Sequence, residues 1–477
     1  MSKESGNALP SNHKLAVVIM AAGKGTRLKS RRPKVLHEIG GKPLLSHVIA
    51  TANALAEAED IHIVIGHQAE RVRQAVGETG VQFVEQKEQR GTGHAIACAR
   101  EAIAKYEHIL ILSGDVPLIQ VDTLQHLMTM HLAEGAAMTI LTAKPEDPTG
   151  YGRIIRRSPD LPEVDAIVEQ PCLKAGQESI REVNSGIYAF KVAPLLKHLE
   201  KLSNKNAHGE FYLTDMAGHL HGVGEKVAAL LAASAEEVLG ANTIAEVVSL
   251  DARLRAATAN RLMANGVTIF KPETCVIDVE VEIEPDTIIE PFVQLLGKTK
   301  IGTECRIRSY SVIENCTLGN DVVIRQGCIL GESSVADGAR IGPFAHLRPG
   351  SEIGQDAHVG NFVETKKARL GKGAKASHLT YLGDAEVGAG TNIGAGVITC
   401  NYDGTHKHRT RIGQGAFVGS DSTLVAPVEI GDGAFIGAGS CITRDVPSGA
   451  LAVGRSRQMT KEHWAETRRA RKEAEKK

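Results

Sequence analysis

Two hydrophobic rhythms divide this chain. Through residues 15–245, short apolar and largely β-branched runs alternate with longer stretches whose apolar positions repeat at the helical period. Leu15–Met20, Ile61–Ile65, Val81–Val84, Ile109–Leu112 and Met138–Thr142 read as strands, with Pro43–Ala58 and Gly93–Lys105 as helices between them. Unbroken apolar runs belong to strands covered on both faces, so this half is predicted as a nucleotide-binding α/β architecture on a parallel sheet. Ala241–Asn265 contains no Pro or Gly and spaces Leu250, Leu254 and Leu262 along one helical face, as a connecting arm would. Beyond it a period of six takes over: Ile412, Val418, Leu424, Ile430, Ile436 and Ile442, with matching rows at Ile341, Leu347, Ile353 and Val359 and at Ile301, Ile307 and Ile313. Such repetition marks a parallel β-helix whose aliphatic residues point into a prism. The rhythm breaks at His378–Gly383 and at Thr399–Thr410, which are read as loops leaving the stack.

Composition sharpens this division. Of the 49 glycines, 27 fall within Gly297–Gly454, a third of the length. A chain of 477 residues suits two or three domains. With 55 Lys and Arg against 56 Asp and Glu, no net field draws it to nucleic acid or to an anionic membrane. The stretch Met1–Lys14 is polar, and the run Leu15–Ala22 is too short to cross a bilayer, so a soluble cytoplasmic protein is expected. Eight Cys with no C-x-x-C pair point to reduced thiols, most of them core fillers.

Candidate chemistry begins directly after the first strand, at Ala21-Ala-Gly-Lys-Gly-Thr-Arg27. Gly23 and Gly25 let backbone N–H groups approach phosphate oxygens, and Lys24 and Arg27 add positive charge there. The spacing is neither that of a P-loop nor that of G-x-G-x-x-G, and an unliganded glycine turn is the plain alternative. Lys34, behind Pro33, is placed to reach a second phosphate. Asp115 follows the strand Ile109–Leu112, at the carboxyl end where α/β sheets bind ligands, and is a candidate for Mg²⁺ unless it merely makes a turn. Together with Gln86, Gly91-Thr-Gly93, Gly114-Asp115-Val-Pro-Leu118, Gly150-Tyr-Gly-Arg153, Glu169, Asn184 and Asn242, these residues resemble the sugar-1-phosphate nucleotidyltransferases, in their bacterial N-acetylglucosamine-1-phosphate uridylyltransferase branch. The resemblance implies a Rossmann-like domain over 15–245. Ala21, Ala22, Gly23, Gln86, Gly91 and Thr92 would hold UTP, with Ser113 and Gly114 beside it. Gly150, Glu169 and Asn184 would hold the amino sugar, and Asp115 and Asn242 the Mg²⁺. Arg27 and Lys34 would be the catalytic cations. Asn184-Ser-Gly186 departs from the Asn-Thr-Gly expected there, and Ser113 stands where some relatives have Tyr.

In the second half, Arg348-Pro, Asn361-Phe-Val-Glu-Thr-Lys366-Lys, His378–Gly383, Asn392-Ile-Gly and Asn401-Tyr-Asp-Gly404 resemble the hexapeptide acyltransferases, and within them the acetyltransferase half of a bifunctional bacterial family that makes UDP-N-acetylglucosamine, a precursor of peptidoglycan and lipopolysaccharide. This implies a left-handed β-helix over 266–477 and assembly as a homotrimer; the helical period places a linker at 246–265, and the polar stretch an extension at 1–14. It also implies His378 as general base, Arg348, Lys366, Tyr381 and Asn392 on glucosamine-1-phosphate, and Asn401, Tyr402, Ser420, Ala438 and Arg455 on acetyl-CoA. Cys400 is read as a bystander and the segment beyond Trp464 as a solvated, frayed tail, with the part near Arg455 and Lys461 a candidate clamp for CoA phosphates. Two other readings compete. In one, the β-helix only assembles or regulates a nucleotidyltransferase; in the other, His346, His358, His378, His406 and His408 supply a zinc site of the trimeric β-helix carbonic anhydrase kind.

Overall fold

A computed structural model describes residues 14–156, 158, 162–206 and 208–476. All but Lys14 of the polar extension at 1–14 lies outside them. The chain forms two compact units, Met1–Leu254 and Arg255–Lys477.

The first unit is built on a sheet of nine strands. Its path uses β1 (Leu15–Met20), β2 (Ile61–Ile65), β3 (Gln82–Glu85), β4 (His108–Ser113), β5 (Met138–Ala143), β8 (Val183–Lys191) and β9 (Val227–Leu231), while β6 (Arg153–Arg156) and β7 (Val164–Val168) form a side arm. The order along the path is β9-β5-β8-β4-β1-β2-β3. Ile61, Ile63, Val64 and Ile65 are fully buried, as are Ile109 to Leu112 and the middle of β1. Covering both faces explains the continuous apolar runs. The sheet is not purely parallel, however: β8 runs antiparallel between β4 and β5. A register shift between Asn184 and Tyr188 bulges β8, and the polar Asn184-Ser-Gly186 at that bulge hides the strand from a search for unbroken apolar runs.

Helix α1 (Leu44–Asn53) is shorter than the predicted Pro43–Ala58. The second predicted helix, Gly93–Lys105, is two pieces, α2 (Thr92–Cys98) and α3 (Arg100–Ile103), parted at Ala99. A long helix, α4 (Ile244–Ala264), fills the predicted arm. Leu250 packs with Leu28, Ile39, Leu44 and Val247 in the first unit, and Leu262 joins the core of the second.

The second unit is a triangular prism of three parallel sheets with eleven, ten and nine strands. Each coil contributes one short strand to each face. The inward residue is aliphatic in most coils: Ile289, Ile307, Ile324 and Ile341 on the first face, Leu295, Ile313, Leu330 and Leu347 on the second, Ile301, Leu318, Val335 and Ile353 on the third. These residues form one continuous core. The segment His378–Gly383 does not leave the stack. Lys375–His378 and Tyr381–Gly383 are strands in register with the coils on both sides. The hydrophobic period fades there because Thr365, Ala376 and Thr399 take inward positions usually held by larger aliphatics. Only the second predicted break is a true insertion, between Ile398–Cys400 and Thr410–Ile412. All eight cysteines are free, and four of them, Cys275, Cys305, Cys316 and Cys328, are buried, fewer than the predicted majority. The predicted frayed tail instead holds an exposed helix, Trp464–Ala474, rich in the helix formers Ala, Arg, Glu and Lys.

Candidate active sites

In the first unit, β1 and β4 are neighbours with Met20 level with Ser113, so the loops that follow them leave the sheet side by side. The first loop turns through Gly25 at φ 61°, where a Cβ would stand 2.8 Å from Lys34 Cβ. Glycine here lets the loop lie against Lys34. Three segments far apart in sequence then converge. The Lys34 ammonium pairs with the Asp115 carboxylate and donates to Asn242 Oδ1 at 2.8 Å. Arg27 Nη2 donates to the same oxygen at 2.7 Å. Both Lys34 and Asp115 are largely covered, with side chains 16% and 19% exposed. Asn242 is held by the capping box of α4: Glu246 Oε2 accepts from the backbone of Asn242 at 2.5 Å and of Thr243 at 2.9 Å, while Thr243 Oγ1 accepts from Glu246 N at 3.2 Å. One ammonium touches both Asp115 and Asn242, so their oxygens lie within reach of a single cation. A hard oxygen pair of this kind fits Mg²⁺, which takes one or two protein oxygens and completes its shell from phosphate and water. Among the described residues no group of three or more His, Cys, Asp or Glu is arranged for a metal.

Farther along the same crevice, Ala21 N donates to Val64 O at 2.8 Å and Gly114 N to Met20 O at 3.0 Å, which pins both loops to the sheet. Gln86 is buried, and its side-chain nitrogen donates to Gly91 O at 3.1 Å. Thr92 Oγ1 accepts from Leu213 N at 3.0 Å. The bulge of β8 presents Asn184, whose Nδ2 donates to the Tyr188 hydroxyl at 2.8 Å, and Ser113 Oγ donates to Gly186 O at 3.4 Å. Glu169 accepts from Thr214 Oγ1 at 3.1 Å, and burial pushes its carboxyl above the ordinary range, aided by the charge of Asp215. Gly150, at φ 87°, has open space where a side chain would stand.

In the second unit the candidates fall into columns, because successive coils place matching residues one above another. His378 stands over Asn361. The same position recurs in later coils at Ala395, Ser420, Ala438 and Gly454, which precedes Arg455 in the chain, with Asp421 N donating to Ala395 O at 2.7 Å and Gly439 N to Ser420 O at 2.8 Å. This column follows the edge between the first and second faces. His378 Nδ1–H donates to Asn361 Oδ1 at 2.5 Å, which leaves Nε2 with its lone pair. Beside it on the second face, Lys366 stands one coil after Arg348, which donates to Glu364 at 3.0 Å. Lys366 donates to Asp384 at 3.2 Å, and Asn401 donates to the same carboxylate. Lys407, from the insertion, adjoins Lys366. The interaction with Lys366, and then its like charge, hold Lys407 below the usual lysine range; Lys407 and Asp384 in turn hold Lys366 above it. The insertion is ordered by Asp403, which accepts from the backbone of Thr405 at 2.7 Å and His406 at 2.6 Å and from His408 Nε2 at 2.7 Å. Tyr381 lies on the second face level with Glu364 and Ile398, and Asn392 lies around the edge on the first face beside Phe417.

Comparison with known proteins agrees with the two-unit geometry. A family described as the MobA-like NTP transferase domain matches residues 17–210, and the bacterial transferase hexapeptide family matches 280–315 and 409–444. Over 98% of this chain and all of the relative, the sequence is 59% identical to the bifunctional protein GlmU of Koribacter versatilis. The GlmU proteins of Solibacter usitatus and Shouchella clausii are 50% and 46% identical over 95% and 94% of the chain, and over 97% and 98% of their own lengths. The chain belongs to the GlmU family.

Within this GlmU fold the structure gathers Arg27, Lys34, Asp115 and Asn242 at one point, and sets Arg348, Lys366 and Tyr381 on successive coils of the second face, with His378 at the edge of the first face just before Tyr381. Asn392 shares the first face with His378, one coil farther along and level with Lys375, around the edge from Arg348, Lys366 and Tyr381. Sequence reading missed Glu246, Asn361, Asp384 and Lys407 as partners. The T-x-x-E pattern at Thr243–Glu246 was a readable signal for the first. Asn361 was readable only through the coil length of 17 residues that sets it under His378.

Proposed function

We propose that residues 15–245 transfer a uridylyl group from UTP to N-acetylglucosamine-1-phosphate, releasing pyrophosphate, and that residues 266–477 first transfer acetyl from acetyl-CoA to glucosamine-1-phosphate. The boundary between the two compact units falls inside the proposed linker, 246–265. The observation that carries the reading is the meeting of Arg27, Lys34 and Asn242 through one oxygen, with Asp115 beside it. In the uridylyl reaction a sugar phosphate oxygen attacks the α-phosphorus in line while charge builds on the departing pyrophosphate. Arg27 and Lys34 stand to neutralise that charge, and Asp115 and Asn242 would hold Mg²⁺. The metal, when bound, adds charge neutralisation at the phosphates. Ala21 to Gly23, Gln86, Gly91, Thr92, Ser113 and Gly114 line the nucleotide side, and Gly150, Glu169 and Asn184 the sugar side.

In the acetyl transfer, His378 Nε2 takes a proton from the substrate amine as its nitrogen attacks the thioester carbonyl, and the thiolate of CoA leaves. Asn361 fixes the tautomer this requires. Arg348 and Lys366 supply the charges for the sugar phosphate, with Tyr381 and Asn392 completing its site. Asn401, Tyr402, Ser420, Ala438 and Arg455 form the acetyl-CoA track. A homotrimer is part of this reading. Phe292, Tyr310, Phe344, Phe362 and Leu379 are exposed along the edge between the first two faces. The third face is instead crossed by ion pairs such as Lys300–Glu282, Arg409–Glu386 and Arg411–Glu429. The apolar edge is the surface suited to a second copy of the chain. No described helix is long and apolar enough to cross a membrane. Both donors are cytoplasmic metabolites, and the protein is placed in that compartment.

The test mixes glucosamine-1-phosphate, acetyl-CoA and UTP and follows free CoA and pyrophosphate. Asp115→Asn should lower uridylyl transfer by at least ~100-fold and leave CoA release intact. His378→Ala should lose ~10²–10⁴-fold in CoA release and keep uridylyl transfer to N-acetylglucosamine-1-phosphate. No CoA release by the unaltered protein would reduce the β-helix to an assembly or regulatory module.

A further inference from the structure

Gln86 is 3% exposed, and its side-chain nitrogen has two partners: Gly91 O at 3.1 Å and His94 Nδ1 at 3.0 Å. A carbonyl oxygen only accepts, so the end of the amide facing Gly91 is NH₂. That NH₂ also faces Nδ1, so Nδ1 is the acceptor and the imidazole carries its proton on Nε2. The Nε2 proton has a receiver, Cys98 Sγ at 3.8 Å, one helical turn farther along α2. The Gly91 carbonyl is itself fixed. Gly91 sits at φ 105°, where a Cβ would stand 2.5 Å from Phe211 O, and the adjoining Gly93 N donates to that oxygen at 2.8 Å. Both hydrogens of the amide are therefore spent inside the protein, and only Oε1 is left to offer. A flipped amide would set Oε1 against two acceptors.

We propose that His94 is a positioning residue that sets the preference for uracil over cytosine, by holding Gln86 so that it presents an acceptor and not a donor. This rests on the reading that Gln86 lines the nucleotide side of the first site, and takes its amide to meet the pyrimidine. N3 of uracil carries a hydrogen and donates, whereas N3 of cytosine is a lone pair and accepts. A fixed Oε1 pairs with the first and repels the second; an amide free to flip serves either. The base choice is thereby built into the tautomer of a histidine that need not touch the base.

The test measures kcat/KM for UTP and for CTP as donors to N-acetylglucosamine-1-phosphate, with pyrophosphate release as the readout. His94→Ala removes one of the two acceptors, and the UTP-to-CTP ratio should fall about fivefold to tenfold, the scale of one neutral hydrogen bond. His94→Asn places an amide oxygen near the position of Nδ1 and should keep the ratio. His94→Gln, whose polar end reaches the position of Nε2, should lose it. A role in packing alone would lower both donors equally and treat Asn and Gln alike, and that result overturns the proposal. If His94→Ala does not fold, the Asn and Gln pair decides, with equal ratios counting against it. Gln86→Ala separates the two levels. An unchanged ratio there removes Gln86 as reader of the base. A collapsed ratio there, with His94→Ala unchanged, removes only the role of His94.

Discussion

The hydrogen bond from His378 to Asn361 gives a single side chain control over which ring nitrogen can act as a base. Asn361→Ala should leave the imidazole free to take either tautomer. Acetyl transfer should then fall by less than the ~10²–10⁴-fold expected on losing the base itself. Asn361→Asp, which still accepts from Nδ1–H, should recover most of the activity, measured as CoA release across pH. A second histidine bears on stability instead. His131 is fully buried, bonded to Thr139 Oγ1 at 2.8 Å and to His108 at 3.0 Å. Burial first, and then the charges of His108 and Lys191, push it down to about 3. The unfolded chain takes up that proton near the ordinary value and the folded chain does not. Between those two values the unfolded state therefore binds more protons, and stability is lost as pH falls, by up to about 1.4 kcal/mol per pH unit. Amide exchange in β4 and β5, corrected for intrinsic rate, should accelerate across that window, and His131→Gln should flatten the dependence.

At the scale of elements, the join between α4 and the first site is a capping box. Glu246→Ala frees the backbone N–H groups of Asn242 and Thr243, which should cost about 1 kcal/mol in helix stability. Uridylyl transfer should drop with it, because Asn242 loses its anchor, while acetyl transfer stays level. Strands β1, β2, β4 and β5 were legible because burial on both faces demands apolar residues at every position. Strand β8 was not, since a bulge tolerates Asn184, Ser185 and Gly186 where a straight strand would need packing groups. The same logic explains the misplaced break at His378–Gly383: small inward residues keep the backbone register while erasing the hydrophobic signal. Cations and acids after strands were legible as candidates. Their convergence was not, because 208 residues of chain separate Lys34 from Asn242.

For the whole molecule, the contrast between an apolar edge and an ion-paired third face points to self-association. Stacked rings such as Phe344 and Phe362, 5.6 Å between centroids, stand exposed on that edge. Phe362→Asp should shift sedimentation from trimer toward monomer and reduce acetyl transfer, with uridylyl transfer unaffected. A trimer that survives this change would place the contact on another surface. The column running from His378 through Ala395, Ser420 and Ala438 to Gly454, with Arg455 next in the chain, carries a last consequence. Neighbouring strands lie about 4.8 Å apart, so four coil steps measure roughly 19 Å. A solenoid of this kind is a ruler with fixed graduations: under the proposed roles of His378 and Arg455, the span between the base and the charge that would anchor the donor is set by the number of coils between them. A longer or shorter donor is met by adding or deleting whole coils, each changing the reach by one strand spacing, and not by widening a pocket.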